Sequence, residues 1–359
     1  MNKYKICVYA ICKNEEKFVD RWYSAIKDEA DEIIVLDTGS IDNTIKKLKE
    51  KEKIKVYQKK IDPWRFDVAR NESLKLVSDD IDICICLDLD EIMEPGFKKK
   101  INSLWNKNTT RLLYLYNWHI NEQGKPDVTF YSEKIHKRKG FKWINPVHEI
   151  LEYEKEENKV KTDEIVINHY PDNNKSRSSY LPLLELAIKE NPDNDRNVHY
   201  LGREYMYYGK WNKAIDMLIK HLNLKSATWK DERCASMRFI SRCYQNLKRY
   251  DEAKMWLNKA IEEAPYLRDP YVERALLEYK LNNYKEVEYY CLKALNITKR
   301  KDVYINEIFS WDHTIYDLLS LSYYYQNEKL LALKYIDKAI EMSPNNERLL
   351  NNKKEFEKL

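Results

Sequence analysis

The chain has 359 residues, 43% apolar and 13% aromatic, with 63 basic and 59 acidic residues that leave a net charge of +4. At roughly 150 residues per domain, this length predicts about two domains, each able to bury a core. A charge balance this close excludes a strongly electrostatic nucleic-acid binder, and the abundance of Tyr, Trp, Ile and Leu excludes a disordered polyampholyte. The seven cysteines, at 7, 12, 84, 86, 234, 243 and 291, fit no zinc spacing and are expected to be buried thiols. The chain holds no run of 18 apolar residues, and its first apolar stretch is too short to span a membrane, which predicts a cytoplasmic protein.

In chain order, Lys5 to Ile11 is predicted as a strand and Glu16 to Asp28 as a helix. Glu32 to Leu36, Ile54 to Tyr57 and Ile81 to Leu87 are further strands, separated by helices over Asp42 to Lys51 and Asp67 to Val77. Short apolar strands alternating with amphipathic helices predict a parallel α/β sheet. Cys84 and Cys86 then share one strand face. Ligands gather at the carboxyl ends of such strands. The segments there are Cys12-Lys13-Asn14-Glu15, Asp37-Thr38-Gly39-Ser40 and Asp88-Leu89-Asp90-Glu91, all polar and acidic. Beyond residue 110 the pattern changes. Leu112 to Trp118, Val128 to Tyr131, Ile135 to Lys137 and Ile165 to His169 are predicted as strands, and residues 171–175 as a domain exit.

From about residue 180 the chain is predicted to be helical and self-similar. Tyr205, Tyr244 and Tyr323 are each followed nine residues later by Ala214, Ala253 and Ala332. Leu218, Leu257 and Ile336 follow four residues after those, and a weaker copy carries Val287, Cys291 and Ala294. These offsets are those of tetratricopeptide helix–turn–helix units, in which small residues let paired helices approach. The expected division is a first domain over 1–172, a linker over 173–195 and a repeat domain over 196–359. Most tyrosines of the repeats, among them Tyr207, Tyr208, Tyr324 and Tyr325, are expected to pack in core and groove.

Asp88 and Asp90 place two carboxylates just past a buried strand, where a hard divalent cation could meet substrate phosphates. A solvated loop is the structural alternative. Ile11 to Glu16, the Asp37-Thr38-Gly39-Ser40-x-Asp42-x-Thr44 run, Phe66-x-x-Ala69-Arg70-Asn71 and Leu87 to Glu91 occur in this order. In them the first domain resembles glycosyltransferase family 2, of GT-A fold. Members of that family with C-terminal tetratricopeptide repeats include S-glycosyltransferases of glycocin peptides, to which this chain is similar. The resemblance implies a UDP-sugar donor, UDP-glucose or UDP-N-acetylglucosamine, and Mn²⁺ or Mg²⁺. It implies that Cys12, Glu15, Asp37, Gly39, Arg70, Asp88 and Leu89 line the nucleotide site, with Asp37 taking a hydrogen bond from the base. Arg70 would contact phosphate or orient Asp88, with a structural salt bridge as the alternative, and Ser40 would cap a helix or touch the ligand. Asp90 and His169 would hold the metal. Glu149 would be the base of an inverting transfer, with Asp127 and Glu122 as rivals, and Asp88 would face the ribose or metal-bound water. His148 either lines the acceptor site or packs, and Trp64 either stacks on the sugar or packs on a helix start.

A sugar-phosphate nucleotidyltransferase would need a Gly-rich loop where this chain has Cys12 to Glu16, and a phosphatase would carry its acidic pair after the first strand. Two other readings stay open: a saccharide or lipid-linked acceptor rather than a protein or peptide, and a scaffold with an inert transferase half. The repeats are expected to recruit a polypeptide acceptor or a second copy of the chain.

Overall fold

The computed structural model describes residues 4–121, 123–172, 175 and 177–359. Glu122, one rival for the catalytic base, lies outside the described residues. The chain divides into two compact units, Met1–Ala187 and Ile188–Leu359.

The first unit opens with β1 (Ile6–Cys12), α1 (Val19–Ile26), β2 (Glu32–Asp37), α2 (Thr44–Lys49), β3 (Ile54–Gln58), α3 (Phe66–Lys75) and β4 (Ile83–Cys86). It continues with β5 (Glu91–Met93), α4 (Phe97–Leu104), β6 (Arg111–Ile120), β7 (Pro126–Lys137), β8 (Phe141–Ile144), β9 (Ile150–Tyr153) and β10 (Lys159–His169). Eight strands form one sheet in the order β3-β2-β1-β4-β7-β6-β10-β5, and β8 and β9 form a separate hairpin. The first four strands of that order are parallel, as the alternating pattern predicts. The rest of the sheet is mixed: β7 runs antiparallel to β4 and β6, β10 runs parallel to β6, and β5 runs antiparallel to β10.

Alternation along β1 and β4 decides what each face buries. Ile6, Val8, Ala10, Ile83 and Ile85 face a core that includes Trp22 of α1, Leu48 of α2 and Phe97 of α4. Cys7, Tyr9, Cys84 and Cys86 face the other way, toward Leu74 of α3 and Trp143 of β8. The sheet therefore carries cover on both faces, as parallel strands require. All seven cysteines are buried free thiols.

Two sequence expectations need correction. Val128 to Tyr131 and Ile135 to Lys137 are one strand, the 12-residue β7. The polar Ser132-Glu133-Lys134 between them reads as a break, but Lys134 turns its ammonium onto buried acids. The β8–β9 hairpin has no counterpart among the expected strands, because its four-residue strands are too short for a periodic signal.

Helix α5 (Tyr180–Glu190) spans the boundary between the units. The second unit then runs α6 (Asp195–Tyr207), α7 (Trp211–Asn223), α8 (Lys230–Asn246), α9 (Tyr250–Glu263), α10 (Asp269–Lys280), α11 (Tyr284–Leu295), α12 (Thr314–Tyr325), α13 (Lys329–Met342) and α14 (Glu347–Phe356). The pairs α6–α7, α8–α9, α10–α11 and α12–α13 are the four expected units. Ala214, Ala253, Ala294 and Ala332 are wholly buried. At Gly202 a Cβ would lie 2.6 Å from Leu218 Cγ, so only glycine lets α6 approach α7 this closely. Each pair turns through one left-handed residue: Gly209, Lys248, Asn282 and Asn327, with φ of 67°, 58°, 59° and 59°. Tyr205 and Tyr323 are core residues, as expected, whereas Tyr207, Tyr208 and Tyr325 are about half exposed, at 58, 47 and 50%. These three sit at the ends of the first helices, where the turn lifts them away from the packed face. Among the described residues no helix is long and apolar enough to cross a membrane.

Candidate active site

The carboxyl ends of β1, β2 and β4 lie side by side, because the strands are parallel and in register (Cys12 pairs with Asp37). The Asp37 carboxylate is wholly buried there. Its Oδ1 accepts the backbone N–H of Gly39 at 2.9 Å and of Ser40 at 3.0 Å. Its Oδ2 accepts the Cys12 thiol at 3.6 Å, and burial together with that carboxylate pushes the thiol well up. Asp37 and Cys12 therefore shape the turn from beneath. Gly39 sits at φ 116°, a conformation other residues rarely adopt, with open space around it. Ser40 is not a helix cap: its hydroxyl accepts the Asn14 N–H at 2.8 Å, while Asn14 Oδ1 accepts the Ile41 N–H at 2.8 Å. Asp42 does the capping, accepting the Thr44 N–H at 3.0 Å. Glu15 is buried, donates its N–H to Thr44 Oγ1 at 2.7 Å and pairs with Lys175. Burial, together with Asp90 and Asp88, outweighs Lys175 and raises its carboxyl to about 7.

Arg70 gathers three sequence motifs. It lies on α3, which starts where the Phe66 N–H bonds the Pro146 carbonyl at 2.9 Å. Its guanidinium grips Asp88 through two parallel bonds of 2.8 and 3.0 Å. Its Nε bonds Glu149 Oε1 at 2.5 Å, and its plane lies 5.0 Å from the Trp143 ring. A guanidinium suits this place because its fork bonds carboxylates in two directions while its face stacks. Burial disfavours ionised Asp88, but Arg70 and then Lys134 outweigh it and hold the carboxyl far below its ordinary range. Asn71, next in the motif, brackets Trp143: its amide donates to the Trp143 carbonyl at 2.8 Å and accepts the Trp143 N–H at 2.9 Å. Arg70 thus pairs with Asp88, a geometry that serves either an orienting role or a structural salt bridge, and brings Glu149 to the same point.

Asp90 and His169 also meet. Their Oδ2 and Nε2 lie 3.6 Å apart, because the Tyr170 N–H bonds the Asp90 carbonyl at 2.8 Å and ties the end of β10 to the acidic turn. His169 Nδ1 lies 3.1 Å from the Trp118 carbonyl, which makes Nδ1 a donor and fixes the ring with Nε2 toward Asp90; burial opposes a charged imidazole, but the Asp90 carboxylate outweighs it and raises the pKa. A carbonyl-oriented imidazole beside a carboxylate fits a divalent cation that takes its other oxygens from phosphates and water. Among the described residues no three His, Cys, Asp or Glu side chains gather as a metal cage.

The remaining expected residues fall apart from this set. The Leu89 side chain is buried in the main core, which leaves only its backbone for a nucleotide. His148, at φ 50°, sets its ring 5.6 Å from Tyr180. Trp64 is half-buried and meets Phe66 edge-on at 5.1 Å, the packing alternative. Asp127 is held in the β6–β7 hairpin by Asn121 and His119, at 3.0 and 3.2 Å.

Two residues escape sequence reading. Lys134 bonds Glu91 at 2.6 and 2.8 Å and Asp88 at 3.3 Å, so a second buried cation balances the acidic turn. Its only signal is a charge between apolar strand segments. Trp118, 49% exposed, stacks on His169 at 4.5 Å; nothing in its sequence neighbourhood ties it to the histidine 51 residues later.

Residues 7–164 match the glycosyl transferase family 2 description, and residues 239–266 and 313–346 match the tetratricopeptide repeat. No curated protein sequence matches the chain. Among solved structures, the chain is similar to MamA at 19% identity, covering 50% of this chain and 99% of that one, with a TM-score of 0.39. It is similar to PilF of Pseudomonas aeruginosa at 14% identity, over 49% and 71%, with a TM-score of 0.38. A thermophilic tetratricopeptide protein of Thermus thermophilus is 20% identical over 51% and 91%, with a TM-score of 0.35. Residues 7–164 are thus a glycosyl transferase family 2 domain, joined in one chain to C-terminal tetratricopeptide repeats.

Proposed function

We propose that this protein is a metal-dependent, inverting glycosyltransferase that moves a hexosyl group from UDP-glucose or UDP-N-acetylglucosamine to a protein or peptide acceptor. The observation that carries the reading is the meeting of Asp90 and His169 beside the Arg70-held pair of Asp88 and Glu149. Asp90 and His169 would hold Mn²⁺ or Mg²⁺. A bound cation of that kind neutralises charge on the departing diphosphate.

The chain's own residues do the rest. Arg70 and Lys134 keep Asp88 ionised and fixed, facing the ribose. The Asp37-built turn presents the Gly39 and Ser40 backbone beside the nucleotide. Glu15, raised to about 7, can donate or accept a hydrogen bond there near neutral pH. Glu149 takes the acceptor's proton as the acceptor atom bonds the anomeric carbon and the bond from that carbon to the diphosphate oxygen breaks. Arg70 holds Glu149 in place for this transfer. A Cys acceptor, already partly ionised near neutral pH, needs this base less than Ser or Thr, and the likeness to glycocin S-glycosyltransferases belongs to this proposal. The repeats serve as the platform for the acceptor or for a second copy.

The test is a transfer assay on Glu149→Gln with UDP binding measured in parallel. The reading expects transfer to fall by about 10²-fold or more with UDP affinity kept. Transfer at the wild-type rate would remove Glu149 as the base. Absence of donor turnover in the wild type, over peptide, saccharide and lipid-linked acceptors, would favour an inert transferase half.

A further inference from the structure

The connection from α11 to α12, residues 296–313, is long for a turn between packed helices. It has no regular structure apart from a short 3-10 helix at Ile308–Ser310, and it lies along the first helices of the repeat pairs. Three side chains spaced three residues apart make the contacts. Lys301 Nζ pairs with Asp231 at 3.2 Å, the Tyr304 hydroxyl bonds Glu232, and Glu307 pairs with Arg242. The backbone is read too: Arg238 Nη2 donates to the Ile305 carbonyl at 3.1 Å, and the Glu307 N–H donates to Asp269 at 2.7 Å.

The receiving face lies buried beneath the strap and is also paired within itself. Asp231, Glu232, Arg238 and Asp269 are each more than nine-tenths buried. Glu232 is braced from below by His221 Nε2 at 3.4 Å, and Arg238 by Asp269 at 3.2 Å. The face is acidic at the α8 N-terminus, at Asp231 and Glu232, and basic about two to three turns later, at Arg238 and Arg242, in the order that the strap's cation and acid require. Side chains with backbone contacts between them are how an extended peptide is recognised in a groove.

We propose that this face is a peptide-docking surface held in the free protein by its own residues 301–307. Its partner is an extended peptide that carries a cationic residue, a phenolic side chain and an acid at three-residue spacing. The strap lowers the apparent affinity for such a partner, since only the fraction of molecules with the strap released can bind.

The test uses the full chain and a labelled synthetic peptide of residues 299–310. The double variant Tyr304→Ala, Glu307→Gln should bind that peptide about tenfold or more tighter than wild type, by fluorescence anisotropy. A peptide with the same two replacements should lose that gain. Lys301→Ala, at a half-exposed side chain, removes the Asp231 pair and the contact with the Tyr266 ring without opening the packed interior, and should tighten binding by about threefold. Folding of each variant is checked by circular dichroism. A folded Lys301→Ala or double variant that binds the peptide no better than wild type would overturn the proposal.

Discussion

Among single residues, Arg70 ties together the largest number of site groups. One guanidinium holds Asp88 and Glu149 together. Lysine keeps the charge but cannot fork. Arg70→Lys should therefore lower transfer by about a hundredfold, the scale of a misplaced reacting group, with the melting temperature little changed. Arg70→Ala takes the ion pair from buried Glu149 and leaves Asp88 with Lys134 alone, and should cost about 3–5 kcal/mol in denaturant unfolding. Equal losses of stability in the two variants would assign Arg70 to the fold alone. Two other buried residues set a pH dependence. Burial pulls the imidazoles of His136 and His199 down to about 3, whereas an unfolded histidine titrates at about 6.5. On acidification the unfolded chain takes up these protons first. Each histidine should cost about 1.4 kcal/mol of stability per pH unit from about 6.5 down toward 3. Urea unfolding from pH 7 to 5 should show the loss in both units, and His199→Gln should flatten it in the second. A midpoint unchanged over that range would contradict the assignment.

At the scale of elements, close packing makes two further predictions. Gly202→Ala puts a methyl into Leu218 and should destabilise the repeats by about 1–3 kcal/mol, read as a lower melting temperature. With Leu218→Ala added, the total loss should be smaller than the sum of the two single losses; a neutral Gly202→Ala would mean that α6 and α7 are not this close. Asn71→Ala removes both bonds to Trp143 and frees the β8–β9 hairpin, whose connecting segment carries Glu149. It should cost about 1–3 kcal/mol and lower transfer more than donor binding. If donor affinity fell as much as transfer, the hairpin would serve the nucleotide rather than the base. These elements also show what could be read in advance. The parallel strands were legible because each is a short apolar run between amphipathic helices, and the repeats because Ala253 and Ala332 recur at one offset from a tyrosine. The meeting of Asp90 with His169 rests on a sheet order that local pattern does not encode, so it came from resemblance. The mixed half was legible only in part. Lys134 interrupts an apolar run with a charge that matters only once Asp88 and Glu91 are placed beside it. The strap of residues 301–307 has no periodicity, and its partners on α8 and α10 lie dozens of residues upstream.

At the scale of the whole molecule, the chain joins a glycosyl transferase family 2 domain to a stack of helical pairs, and the account gives each a separate task. The first unit would bind nucleotide and metal through Asp90, His169 and the Asp37-built turn. The second would select a polypeptide by its groove face. Calorimetric titration of UDP and a panel of UDP-sugars, with and without Mn²⁺, against wild type and Asp90→Ala, reads the donor site itself. The account predicts UDP binding that needs the metal and falls by at least about tenfold in Asp90→Ala, with the fold intact. UDP binding that is the same with and without Mn²⁺, or unchanged in the variant, would contradict a metal-assisted donor site at this turn.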